Sequence, residues 1–236
     1  MNLFADAIAW ILDPAHWGGP DGIDTRTVQH MAISLLVVGI ATVIAVPIGY
    51  AIGHTGKGRG IVVALAGAVR ALPTLGLLIL LALNLGIGLR APIIALVVLA
   101  VPSILAGAYA GFDAVDRRII DAARAVGMTE MQIVFKVEIP LGLPLLMGGV
   151  RSAVLQVIAT ATLADYVGSG GLGRLIFHGL QAGNYPEMLA GSIVVVILAI
   201  IFEIIFSTLQ RLVVPAGVAA TQSPRVRTRP VRSRAA

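Results

Sequence analysis

Three kinds of residue are scarce or missing in this chain of 236 residues. Cysteine is absent, charged residues make up only 12% and aromatic residues only 5%. The absence of cysteine excludes disulfides, thiolate metal sites and thiol nucleophiles. The scarcity of charge excludes an ordinary soluble domain, in which about a quarter of the residues are charged.

The chain is instead rich in apolar residues: 58% of it is hydrophobic, and its mean hydropathy is +0.94. Several apolar runs approach the roughly 20 residues that a helix needs to cross the hydrocarbon core of a bilayer. The composition therefore predicts an all-α, polytopic membrane protein with about five transmembrane helices. The five runs are residues 31–53, 61–85, 92–111, 141–165 and 188–214.

Basic residues in the short loops predict the orientation of these spans. Lys57 and Arg59 follow the first run, and residues 113–140, between the third and fourth runs, carry further lysine and arginine. Such residues are enriched on the cytoplasmic side of a membrane. We therefore expect the N-terminus outside the cell, and residues 113–140 and the C-terminus in the cytoplasm.

Two terminal segments lie outside the predicted spans. Residues 1–30 have no basic region before their apolar patch, so we interpret them as an outer or interfacial segment and not as a cleaved signal. A frayed terminus is the alternative. Residues 215–236 carry five arginines and predict a disordered, basic cytoplasmic tail that touches anionic lipid. A nucleic-acid-binding arm has a similar composition. A basic segment that follows a transmembrane helix is, however, more commonly a tail that contacts lipid.

The second apolar run is interrupted by Arg70 and Pro73. Because proline removes a backbone hydrogen bond in mid-helix, we expect this span to be kinked or broken there. Discontinuous helices often mark the path of a transporter, which makes both residues candidate pathway residues. A simple packing kink is the alternative interpretation.

Two glycine-rich stretches resemble nucleotide-binding motifs but lack the necessary context. Residues 168–173, GSGGLG, match G-x-G-x-x-G, yet a predicted transmembrane helix precedes them where a dinucleotide site needs a strand. Gly56-Lys57 is followed by Gly58, not by the serine or threonine of a P-loop. The four histidines are dispersed without metal-ligand spacing. We therefore expect no metal, no bound cofactor and no catalytic residues in this chain.

The segment 113–140 has the pattern of two short helices. Apolar residues at three- and four-residue spacing predict that the first helix is amphipathic. They are Ile119, Ala122, Ala123 and Val126. Gly127 is expected to end this helix and Pro140 to end the second, which Thr129 and Gln132 begin with a capping box. The small alanine side chains leave room for a soluble partner to pack closely.

This segment resembles the EAA signature of ABC importer permeases, which runs Glu-Ala-Ala, three residues, Gly, nine residues and Ile-x-Leu-Pro. At the same spacing this chain has Asp121, Ala122, Ala123, Gly127, Val137, Ile139 and Pro140. Further stretches, among them LPTLGLL and VGSGGLGRLIFHGL, extend the resemblance over residues 30–214 to the permeases of glycine betaine, carnitine and choline importers. The resemblance implies a type I ABC importer permease fold for residues 31–214, with coupling helices near 113–140.

The resemblance also implies the partners of the chain. A separate ATPase subunit would bind ATP and Mg²⁺ and would contact the coupling segment, leaving this chain a non-catalytic transport subunit. The contact residues would be Asp121, Ala122, Ala123, Gly127, Met128, Thr129, Val137, Ile139 and Pro140. Other implied partners are a second permease copy or sister permease, an extracellular substrate-binding protein and membrane lipids. No nucleic acid is expected.

The segment after the fourth run is the candidate outer mouth of the path. Its candidate residues are Asp165, Tyr166, Gly168, Gly170 and Gly171, the glycines forming a tight turn. A structural loop that meets the binding protein is the alternative. The four tyrosines show no cluster that predicts an aromatic cage for a quaternary ammonium group, so we expect the binding protein to select the substrate.

The expected substrates are compatible solutes of the glycine betaine, choline, carnitine or proline betaine type. Methionine or another amino acid is an alternative. A proton-coupled secondary transporter is an alternative of a different class, and it would need titratable groups inside the membrane. Only Asp165 and Glu203, among the acidic residues, lie in a predicted span or at its ends.

Overall fold

The structure is a computed structural model that describes residues 2–213; the predicted basic tail, residues 215–236, lies outside the described residues. Within residues 2–213 the regular elements are helical, as the composition predicts. The helices are α1 (Leu3–Leu12), α2 (Ile23–Thr55), α3 (Arg59–Arg70), α4 (Thr74–Leu85), α5 (Arg90–Asp113), α6 (Arg117–Ala125), α7 (Glu130–Ile133), α8 (Ile139–Thr160), α9 (Gly173–Ala182) and α10 (Tyr185–Val213). Short 3₁₀ turns lie at Pro14–His16 and Ala161–Val167.

Four of the predicted spans are continuous helices in this structure. The helical stretches Ile23–Thr55, Arg90–Asp113, Glu130–Val167 and Tyr185–Leu212 are each long and apolar enough to cross a membrane. The second predicted span consists of α3 and α4, which meet at an angle of 90°. Counting that pair as one span gives the predicted total of five.

The break between α3 and α4 confirms the predicted interruption at Arg70 and Pro73. Arg70 is the last residue of α3, and Pro73 has an extended backbone with ψ 118° immediately before α4. Proline has no N–H to donate to the preceding turn, and its ring clashes with a helical carbonyl, so the chain leaves the helix and changes direction here.

Helix α5 is the centre of the bundle, with α2 and α8 packed against it. Glycines lie where α5 crosses α8. A Cβ atom at Gly111 would lie 2.6 Å from the Gly142 carbonyl oxygen, and one at Gly107 would lie 2.8 Å from the Gly149 Cα. These spacings are shorter than any real Cβ contact, so the crossing requires glycine on both helices. Small residues allow such close backbone approach between membrane helices.

The contact between α2 and α5 depends on glycine in the same way. Gly49 and Gly53 are four residues apart on α2, and a Cβ atom at either would lie 2.5 Å from the Cβ of Ala108 or Phe112 on α5. Neighbouring aliphatic residues from α2, α5 and α8 fill the main core around these crossings. Since lipid is as apolar as these side chains, close packing is the main attraction that holds the helices together.

A partly buried ion pair joins α8 to α10. The Nε of Arg151 donates to Glu203 at 2.7 Å, and Gln210 of α10 donates to the carbonyl oxygen of Pro144 at 3.1 Å. An unpaired charge is costly within a span, and each member of this pair neutralises the other. Arg151 therefore faces a protein partner rather than lipid.

We predict that Gly111→Leu destabilises the folded bundle, because a side chain there would displace the α8 backbone. Overpacking a tight contact costs about 1–3 kcal/mol or more. Gly39→Leu is the matched control, since Gly39 also lies in a spanning helix and a Cβ atom there meets no atom within 4 Å. The thermal midpoint of the detergent-purified protein should fall for Gly111→Leu alone; equal midpoints for the two variants would contradict the proposed crossing.

Candidate functional site

The first helix of the coupling segment, α6, begins and ends with defined caps. The Asp116 carboxylate accepts a hydrogen bond from the backbone N–H of Arg118 at 2.9 Å. At the other end Gly127 has φ +85°, and the N–H of Met128 donates to the carbonyl of Ala123 at 3.1 Å. The left-handed conformation favours glycine, so the prediction that Gly127 ends this helix is confirmed.

The second helix, α7, begins with the predicted capping box. The backbone N–H of Thr129 donates to the Gln132 side chain at 2.9 Å, and the N–H of Gln132 donates to the Thr129 hydroxyl at 3.4 Å. Each side chain thereby satisfies a backbone donor that the first turn would leave free. We call α6, α7 and the turn between them the helical pair.

The prediction that Pro140 ends the second helix is wrong. The chain passes from α7 through a π-helical turn, Val134–Glu138, directly into α8, and Pro140 is the second residue of α8. In an α-helix the proline ring would press against the carbonyl four residues earlier. Here the N–H of Ile139 donates to the carbonyl of Val134, five residues earlier, and this wider turn accommodates the ring.

The helical pair buries one residue of the predicted apolar stripe, Ala123, and leaves the other three, Ile119, Ala122 and Val126, exposed. Ile120, Ala123 and Ile133 form a small core, against which Met128 and Val137 pack, whereas Ala122 is exposed. The remaining large apolar side chains of this region are exposed. They are Ile119, Val126, Met131 and Phe135, which we call the exposed apolar set. The spacing of the apolar residues shows that α6 is amphipathic. Packing against α7 decides which of these side chains are buried.

An ion pair fixes α6 against α7. The guanidinium of Arg124 donates to both carboxylate oxygens of Glu130, at 2.8 and 3.0 Å. The hydrogen bonds to Glu130 raise the pKa of the Arg124 guanidinium above its ordinary value. Asp121, the acidic residue of the signature, is 3.5 Å from Arg124 and solvent-exposed. Because two parallel hydrogen bonds join Arg124 to Glu130, the ion pair orients α6 relative to α7 as well as attracting it.

The helical pair is also attached to the end of α2. The Nδ1 of His54 is 2.6 Å from Glu138, and its Nε2 is 3.4 Å from Glu130. Glu138 is 2% exposed, so His54 is the partner that its buried carboxylate needs. Sequence reasoning treated the histidines as dispersed and missed this contact, since 84 residues separate the two side chains and no local pattern connects them.

The glycine-rich turn lies at the opposite end of α2. The carboxylate of Asp165, which is buried, accepts a hydrogen bond from the N–H of Gly170 at 2.9 Å. The N–H of Gly171 donates to the side chain of Gln29, near the start of α2, at 3.0 Å. Gly168, Gly170 and Gly171 all have φ +78°, so the expectation of a tight turn is confirmed.

Three of the candidate outer-mouth residues, Asp165, Tyr166 and Gly168, line a cavity of about 700 Å³. The cavity lies between α4, the 3₁₀ turn Ala161–Val167 and α9. Gly170 and Gly171 contact α2 instead, and Arg70 and Pro73 lie at the far end of α4. The structure therefore brings part of the predicted pathway set together and leaves the α3–α4 break separate.

Among the described residues, no group of three or more histidine and acidic side chains is arranged to hold a metal ion. Two other features lie at the ends of α2: an exposed apolar set at one end and an open cavity at the other.

Comparisons with known proteins identify the family. Residues 31–216 match the family described as binding-protein-dependent transport system inner membrane component. The chain is 36% identical over 193 residues to the glycine betaine/carnitine/choline transport system permease protein OpuCB of Bacillus subtilis (strain 168), covering 82% of this chain and 89% of that protein. It is 34% identical, with the same coverage, to the choline transport system permease protein OpuBB of the same strain.

A similar fold occurs in a solved structure. A chain of the MetNI methionine ABC transporter, in an inward-facing conformation, matches with a TM-score of 0.71 and 27% identity, covering 82% of this chain and 97% of that one. The family match spans most of the sequence, and the apolar helices suit an inner membrane protein. This chain belongs to the family of binding-protein-dependent transport system inner membrane components.

Proposed function

We propose that this chain is the permease subunit of an ABC importer and forms the translocation path for compatible solutes of the glycine betaine, choline, carnitine or proline betaine type. The single observation that carries the proposal is the similarity, over 82% of the chain, to permeases whose names specify these solutes. The EAA-like signature, folded as a capped helical pair, supports the importer assignment independently.

The energy for transport comes from a separate ATPase, which binds ATP and Mg²⁺, and this chain catalyses no reaction itself. A second permease copy or a sister permease completes the path, and an extracellular binding protein delivers the solute. The importer family to which the chain belongs implies the ATPase and the binding protein as partners.

The helical pair is the surface through which the ATPase acts. Its exposed apolar set offers large side chains of the kind that form the centre of protein interfaces. The Arg124–Glu130 ion pair and the two helix caps keep this surface rigid, so a partner meets it without an ordering cost. A rigid segment also transmits force instead of deforming.

Motion of the helical pair reaches the membrane by two routes. One is the continuous helical stretch from Glu130 into α8. The other is the contact of His54 with Glu138, which connects the pair to the end of α2. Since α2 and α8 flank the central helix α5, a displacement of the pair moves both neighbours of α5 together.

The two acidic residues that a proton-coupled transporter would need already have hydrogen-bond partners within the chain. Glu203 is paired with Arg151, and Asp165 accepts the N–H of Gly170. The importer mechanism is therefore the better explanation. Methionine transport remains a property of the MetNI protein, whose likeness to this chain is weaker in sequence than that of the permeases named for osmoprotectants.

For the substrate, we predict that the chain, reconstituted in proteoliposomes with its ATPase and binding protein, imports radiolabelled glycine betaine when ATP is supplied. Methionine in excess should not compete, whereas unlabelled carnitine or choline should. ATP-dependent uptake of methionine, or uptake of betaine driven by a proton gradient without ATP, would refute the proposal.

For docking, we predict that Val126→Glu and Phe135→Glu each weaken ATPase binding. These side chains are 78% and 61% exposed, so the folded subunit tolerates the change, but each charge would be buried at the interface. A loss of about 2 kcal/mol lowers the affinity roughly 30-fold. The measurement is recovery of the ATPase with the tagged permease from detergent.

Leu180→Glu is the matched control for docking, because Leu180 is 54% exposed and lies on α9, away from the helical pair. The ATPase should co-purify with this variant as it does with the wild type. Equal recovery from all three variants would show that the ATPase binds elsewhere.

For transmission, we predict that His54→Ala lowers the amount of solute imported per ATP hydrolysed while the ATPase still co-purifies. The change leaves the buried Glu138 carboxylate without its partner and disconnects α2. His54→Gln should restore part of the coupling through its amide donor. Lys57→Ala, three residues further along the chain and just after α2, is the control. An unchanged ratio of solute imported to ATP hydrolysed in His54→Ala would contradict this route.

A further inference from the structure

The cavity at the outer end contains an aromatic pair that the sequence did not indicate. The rings of Tyr166 and Phe177 lie 5.8 Å apart in an edge-to-face arrangement, and both residues line the cavity of about 700 Å³. The expectation that no aromatic cluster is present was based on the tyrosines alone. The glycine turn folds α9 back against the 3₁₀ turn, and this brings a phenylalanine to Tyr166.

Opposite charges also line this cavity. Asp165 contributes a carboxylate next to Tyr166, and Arg174, on the first turn of α9, contributes a guanidinium that is about half exposed. The Nε of Arg174 forms a long ion pair with Asp21 at 3.9 Å, without a hydrogen bond, so the guanidinium keeps its donors for a ligand. His178 also lines the cavity, but its Nδ1 is bonded to Glu187 at 2.8 Å.

We propose that this cavity binds zwitterions that carry a trimethylammonium group and a carboxylate. The ammonium group packs against the Tyr166–Phe177 pair, where ring faces attract a desolvated cation, and the Asp165 carboxylate adds to this attraction. The solute carboxylate accepts hydrogen bonds from Arg174. This inference rests on the proposed function and refines it: the path itself prefers betaines and carnitine to choline, which has a hydroxyl where they have a carboxylate.

The size and the composition of the cavity fit this role. Its volume lies within the range of roughly 300–1,000 Å³ typical of small-molecule sites. Apolar side chains of α4, Ile79 and Leu83, form one wall of the open cavity. Two rings make half a cage rather than a closed one, so the binding is weak, and a weak site releases the solute into the path instead of trapping it.

A second cavity at this end, of about 430 Å³, fits the same ligand less well. The Trp10 ring that lines it is stacked on His16 at a centroid distance of 3.9 Å, so one ring face is already covered. Both carboxylate oxygens of Glu187 in this cavity accept hydrogen bonds, from His178 and Asn184, whereas Asp165 accepts the Gly170 N–H through Oδ1 alone among the described residues.

The test is a titration of the permease–ATPase complex in lipid nanodiscs, without the binding protein, followed by saturation-transfer NMR of the N-methyl protons. The probes are glycine betaine and choline. Tyr166→Leu should weaken the binding of both ligands about fivefold, since the ammonium group of each loses its contact with the Tyr166 ring. Arg174→Gln should weaken glycine betaine about tenfold and leave choline unchanged, because only betaine carries the carboxylate.

Tyr185→Leu and Arg90→Gln are the matched controls, since both residues are exposed and neither lines a cavity. Phe177→Leu replaces Tyr166→Leu if the latter does not assemble with the ATPase. The proposal is overturned if the wild-type complex binds neither probe, if the cavity variants match their controls, or if Arg174→Gln weakens both probes equally. ATP-driven uptake by the wild-type importer is measured separately, so failure of the proposed function is distinguished from failure of this site.

Discussion

The close crossing of α5 with α2 and α8 is the constraint on which the rest of the structure depends. At Gly107, Gly111 and Gly53 the helix backbones approach so closely that a single Cβ atom would collide with the neighbouring helix. In a bilayer, packing replaces most of the hydrophobic driving force that holds a soluble core together. Helices α2 and α8 therefore lie in fixed positions against α5. These positions decide which helix ends and side chains come into contact at each end of the bundle.

At the expected cytoplasmic end, this arrangement brings two helix termini together. The last turn of α2 carries His54, and the π-helical turn before α8 carries Glu138, so one contact joins both neighbours of α5 to the helical pair. The Arg124–Glu130 ion pair continues the connection to α6. A charged network, partly buried, thus links the helical pair to the membrane helices, and under the proposed function it would connect a bound ATPase to the path.

At the other end of α2, left-handed glycines rather than an ion pair determine the local structure. The left-handed residues between Gly168 and Gly171 reverse the chain after α8, and Asp165 and Gln29 fix the reversed segment by bonding its N–H groups. As a result α9 folds against the 3₁₀ turn, and an aromatic pair, a carboxylate and a guanidinium share one cavity. The same turn that ends a span therefore also shapes this cavity.

Local chemistry in the sequence was sufficient for the spans, the break at Pro73, the left-handed end at Gly127 and the capping box at Thr129, because each depends on residues within one or two helical turns. Four features were not predictable in this way: the face that α6 buries, the continuation of the chain through a π-turn into the α8 helix that holds Pro140, the pairing of His54 with Glu138, and that of Tyr166 with Phe177. These features depend on which helices become neighbours and at what distance, and only packing across the whole bundle decides that.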